Sequence, residues 1–104
     1  MGKQLTFAEA FSVLNGMEVL FAQKTNGALA IKLYRITRPL KTLQEDYKEL
    51  ASKIEGEEGS EEWTANLITI NNSPFAEFET ITLEELEGLE LTPQAIVQLE
   101  PIIA

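Results

Sequence analysis

In ALAIKLYRITRPLKTLQEDYKELASKI, residues 28–54, apolar side chains fall at Leu29, Leu33, Ile36, Leu40, Leu43, Tyr47, Leu50 and Ile54, spaced alternately four and three apart. This is an unbroken seven-residue repeat, and on a helix it gathers all eight side chains into one stripe. Asn26-Gly27 marks the start of that helix, and Gly56 supplies a left-handed cap at its end. Pro39 lies inside. It has no N–H to give the carbonyl of Arg35 and it pushes Arg38 away from helical angles, so the spacing predicts a helix over 27–55 kinked near the proline.

Working outward towards the N-terminus, Thr6 and Glu9 form a capping box, each side chain satisfying an orphan amide at a helix start. Behind it Phe7, Phe11, Leu14, Met17 and Phe21 make a second stripe, predicting a helix over 6–23 with a weak spot at Asn15-Gly16. The turn Lys24-Thr25-Asn26-Gly27 folds the two helices back as an antiparallel hairpin, stripe on stripe. The longer helix then overhangs its partner by about three turns. The distal stripe, Leu40, Leu43, Tyr47, Leu50 and Ile54, must be covered by the rest of the chain or by a second copy.

Beyond Gly56 the texture changes. Residues 56–62 belong to an acidic, glycine-containing segment that reads as a solvated, mobile loop, and 63–104 form an acidic α/β segment. Trp63, Leu67 and Ile70 recur at helical spacing, yet Leu67-Ile68-Thr69-Ile70 has strand propensity, so periodicity leaves both open. Asn71-Asn72-Ser73-Pro74 is a turn, and Phe75 to Thr82 alternates as a half-buried strand does. Thr82 and Glu85 repeat the capping-box pattern over a one-turn helix ended by Gly88. Leu89-Glu90-Leu91 reads as a short strand, and Thr92-Pro93 opens a last helix. The expected fold is α+β, mainly α: one domain over 1–104, built on a helical hairpin followed by a small acidic region with one or two short strands and short helices.

Charge is segregated along the chain. The first 54 residues carry eight bases and five acids, and the remaining 50 carry twelve acids and no base, giving +3 and −12 and a net −9. So acidic a chain is poorly suited to nucleic acid or anionic membrane, which need a cationic footprint. No stretch reaches the ~20 apolar residues of a membrane span. Met1-Gly2-Lys3-Gln4 has no signal-peptide character, so the expected compartment is cytoplasmic. With neither cysteine nor histidine, the chain has no disulfide, no thiol nucleophile and no imidazole base, and no phosphate-binding glycine loop is present. No catalytic, cofactor-binding or metal-ligating residue is assigned. Glu55, Glu57, Glu58, Glu61 and Glu62 lack the alternating ligand spacing of a calcium loop.

Glu77, Glu79, Glu84, Glu85, Glu87 and Glu90 are the candidate partner-binding residues, a negative face able to occupy a cationic groove in place of phosphate. Solubility alone is the competing account of the same charges. The bases Lys32, Arg35, Arg38, Lys41 and Lys48 sit mostly off the apolar stripe and are expected to pair with the C-terminal acids, within the chain or between copies. Trp63 reads either as a lid over the long helix or as an interface anchor.

The run Ala28-Leu29-Ala30-Ile31-Lys32-Leu33 within a helical hairpin, followed by a charged helix, resembles small uncharacterised accessory proteins of tailed bacteriophages. The ending Ile81-Thr82-Leu83-Glu84-Glu85-Leu86-Glu87-Gly88, with Leu91-Thr92-Pro93 and Leu99-Glu100-Pro101-Ile102-Ile103, carries the same resemblance. It implies a helix around Trp63 to Ile70 and a viral accessory protein in the cytoplasm of a bacterial host, with no assigned activity to transfer. The expectation is a non-enzymatic protein that binds a host or viral protein, inhibiting a defence or nucleic-acid-processing protein through its acidic half. The alternative is a virion assembly factor that homo-oligomerises through the heptad stripe.

Overall fold

Five helices and a two-stranded sheet make up the computed structural model, which describes residues 2–104. In chain order they are β1 (Gly2–Thr6), α1 (Phe7–Phe21), α2 (Gly27–Leu40), α3 (Leu43–Lys53), α4 (Glu61–Asn71), β2 (Pro74–Glu79) and α5 (Pro93–Leu99). A one-turn 3₁₀ helix, Glu100–Ile102, follows α5. The α+β, mainly helical class is the one the sequence predicts.

Most helix starts follow from local chemistry. At α1 the Glu9 amide donates to Thr6 Oγ1 and the Thr6 amide donates to the Glu9 carboxylate, so the capping box is complete. The Leu29 amide donates to Asn26 Oδ1 at α2, the Trp63 amide to Ser60 Oγ at α4, and the Ala95 amide to Thr92 Oγ1 at α5. Residues 63–71 are therefore helical. The capping-box bonds of Thr82 and Glu85 also form, but the chain there closes into successive turns rather than a helix, ending at Gly88.

Several expectations are corrected. The helix over 27–55 is two helices, interrupted at Lys41-Thr42. With no N–H at Pro39, the last turn of α2 tightens so that the Lys41 amide donates to Arg38 O, and α3 restarts with the Asp46 amide on Thr42 O. Gly56 does adopt a positive φ of 102°, but three residues past the end of α3, so it shapes the loop rather than capping the helix. Helices α1 and α2 are joined by a short turn and touch, but they are not the main helix pair. The main helical neighbour of α1 is α5, at the far end of the chain, and Asn15-Gly16 leaves α1 unbroken. Leu89 to Leu91 is not a strand.

The partner of β2 is β1, which the sequence analysis passes over. They pair antiparallel with Gly2 opposite Glu79, Lys3 opposite Phe78 and Leu5 opposite Ala76, and the register slips between Leu5 and Thr6. The chain end is tied in by Ile81, whose amide donates to Ile102 O at 2.7 Å while its carbonyl accepts from the Ala104 amide at 2.9 Å. The core draws on both halves of the chain: Leu5, Val13, Met17, Leu20, Leu33, Ile36 and Leu43 meet Phe78, Ile81, Leu99 and Ile102. Every buried residue among those described is apolar.

Helices α3 and α4 run back to back as an arm. Only Leu43 and Ile70, at its base, are buried, and all their other residues are partly or fully exposed. The molecule measures 47 × 24 × 21 Å, with a radius of gyration of 15.4 Å. A compact chain of this size has about 13 Å, so the shape is elongated.

Candidate functional site

Two bases one helical turn apart on α2 reach across to the acidic half. Arg35 grips Glu79 at the end of β2 with both arms of its guanidinium, Nε to Oε1 at 2.6 Å and Nη2 to Oε2 at 3.2 Å. Lys32 Nζ lies 2.8 Å from Glu85 Oε2 and donates to Thr80 O at 3.2 Å. The Thr82 amide donates to Glu85 Oε1 at 3.0 Å. Arg35's hydrogen bonds hold the Glu79 carboxyl below the usual carboxylate range, and the same contact raises the guanidinium's own proton affinity. Glu85 is likewise lowered, first by the bond from Lys32 and then by the Thr82 amide. The expected pairing of basic and acidic segments thus occurs within the chain for Lys32 and Arg35.

The six candidate glutamates therefore divide. Glu79 and Glu85 fasten β2 and the turn after it to α2. Glu77, Glu84, Glu87 and Glu90 are exposed and have no ion-pair partner among the described residues. Glu90 is fixed by its backbone rather than its charge: its amide donates to Gln23 Oε1 at 2.7 Å, and its carbonyl accepts from Gln23 Nε2 at 2.6 Å. That side-chain clamp holds the Leu89–Leu91 segment in place without a strand partner.

The acidic loop before α4 carries its own hydrogen bonds. The Ser60 amide donates to Glu57 O, Asn66 Nδ2 donates to Glu55 O, and the positive φ of Gly56 lets the chain turn against the Trp63 backbone. A Cβ at Gly56 would come within 2.8 Å of the Trp63 nitrogen. Residues 55–59 are all exposed, as the sequence predicts for a solvated segment. Among the described residues no group of three acidic, histidine or cysteine side chains is arranged to hold a metal ion.

The heptad stripe is core at one end and surface at the other. Leu40 and Leu43 are buried. Tyr47 packs edge-on against Phe11 at 5.2 Å between centroids, and Ile54 is half-buried. Leu50 is 40% exposed and walls a shallow groove of about 380 Å³ with Phe7, Phe75, Asp46, Glu49 and Lys53. Trp63 is half-buried on α4, which packs against α3.

One feature escaped the sequence reading. Ile31 and Tyr34 are each 56% exposed on the outer face of α2, and Arg38 and Lys41 both bring their cationic heads to 5.9 Å from the Tyr34 ring centroid. The spacing of Ile31, Tyr34, Arg38 and Lys41 repeats the three-four rhythm of the heptad on the opposite side of the helix, which is the signal that could have found them.

Comparison with protein-family models, with curated proteins and with solved structures returned no match. In the described residues no helix is long and apolar enough to cross a membrane.

Proposed function

We propose that this chain is a non-catalytic accessory protein of the tailed-phage type, working in the host cytoplasm by binding a protein with a cationic surface. One observation carries the proposal. Of the twelve acids that follow Ile54, only Glu79 and Glu85 are ion-paired among the described residues, and that half of the chain holds no base at all. Mixed charges of both signs would serve solubility as well. A one-signed surface instead projects a field that steers a cationic partner and competes with phosphate for its groove. A nucleic-acid-processing or defence protein is the partner class that this chemistry fits.

The assembly alternative draws on the heptad stripe. Burial of Leu40 and Leu43 in the chain's own core leaves only Tyr47, Leu50 and Ile54 to offer a second copy through that seam. It is the weaker of the two.

The proposal is tested by affinity capture from host lysate with the wild type beside the E77Q/E84Q/E87Q/E90Q variant. Recovery of a cationic partner by the wild type and its loss in the variant is the expected result. Equal recovery by both would refute a role for these glutamates.

A further inference from the structure

We propose that the outer face of α2 is a self-association site, occupied by the acidic tip of the α3–α4 arm of a second copy. This goes beyond the binding of a foreign protein and stands on different residues. On the receiving side, Ile31 and Tyr34 present an exposed apolar surface, and Arg38 and Lys41 flank the ring with no carboxylate in ion-pair range among the described residues. Tyrosine, arginine and an aliphatic side chain in one exposed cluster is the composition of an interface centre, and elsewhere on the same helix Lys32 and Arg35 are already committed to internal acids.

The occupant is identified by charge and length. The arm's tip carries Glu55, Glu57, Glu58, Glu61 and Glu62 within eight residues, on a turn whose backbone makes the Ser60 and Asn66 hydrogen bonds. Within one chain none of these acids is in ion-pair range of Arg38 or Lys41 among the described residues. Helix α3, Leu43–Lys53, is about 16 Å long at 1.5 Å per residue. Two copies with arms antiparallel place each tip beside the other's Arg38 and Lys41. The pair forms twice about a two-fold axis, and the arm length sets the register. The same arrangement covers flanks of an arm that is only two helices thick and buries nothing beyond Leu43 and Ile70 on its own.

A charge swap tests this by sedimentation equilibrium. The wild type is expected to sediment at twice the chain mass. R38E/K41E and E57K/E58K/E61K are each expected to sediment as monomers with unchanged far-UV circular dichroism. Their equimolar mixture is expected to return to the dimer mass, because each variant then supplies what the other lost at both contacts. If either reversed variant loses helical signal, R38Q/K41Q and E57Q/E58Q take its place, both expected to be monomeric. A monomeric wild type, a variant that still dimerises, or a mixture of folded reversed variants that stays monomeric overturns the proposal.

Discussion

At Gly16, the missing side chain is what lets α1 and α5 approach. A Cβ there would lie 2.6 Å from Leu99 Cγ and 3.2 Å from Gln98 Cβ, and Leu99 is fully buried with nowhere to move. Beside it Ser12 Oγ donates to Gln98 O at 2.9 Å, fixing the crossing. Gly16→Ala should therefore destabilise the protein by about 1–3 kcal/mol through overpacking, outweighing the roughly 1 kcal/mol of helix propensity that alanine gains over glycine. A raised melting temperature would contradict this. Phe78, 2% exposed and 6.2 Å from the Phe75 ring, is the large β2 side chain that reaches the core. Phe78→Ala should cost about 3–5 kcal/mol, read as a drop in the denaturant midpoint. Phe78 was legible from the alternation of its strand. The role of Gly16 was not, because a glycine at a helix crossing and one at a helix break look alike until the other helix is known.

Among the elements, α2 is joined to the acidic half by two ion pairs whose carboxyls titrate below their unfolded value. Glu79 and Glu85 are both lowered in the fold, so their contribution is present above about pH 4.3, the ordinary glutamate value. It is lost as pH falls through the lowered folded values. Below about pH 4.3 the wild type should lose melting temperature more steeply than E79Q/E85Q, and the two should differ most near neutrality. Parallel pH profiles would show that the pairs add nothing. Both groups are partly exposed, so the effect is modest. The helix starts at Thr6, Asn26 and Thr92 could be read from sequence because capping chemistry is local. Strand β1 could not: Gly2 to Thr6 is too short to show alternation, and its pairing with β2 spans some seventy residues. The break between α2 and α3 is hidden in the sequence because the seven-residue rhythm runs on through Lys41-Thr42, where the helix stops.

For the whole molecule, the elongated shape follows from an arm that leaves the core with only Leu43 and Ile70 buried. Local opening costs least where buried apolar contact is scarce. Amides of α3 and α4 distal to these residues should exchange hydrogen at lower protection than those in the middle of α1, and Trp63 fluorescence should change before the main unfolding transition. Uniform protection would contradict the arm as a separate unit. At this scale the sequence was informative about charge, since the segregation survives folding with ten glutamates of the second half unpaired among the described residues. It was less so about which acids are free, because the commitment of Glu79 and Glu85 depends on where α2 lies. The most direct measurement is affinity capture by the tagged wild-type chain from lysates of infected and uninfected host cells, at low and high salt, read by mass spectrometry. A cationic nucleic-acid-processing or defence protein held at low salt and released at high salt is the predicted result. Recovery of virion proteins alone, or of the bait alone, would contradict it.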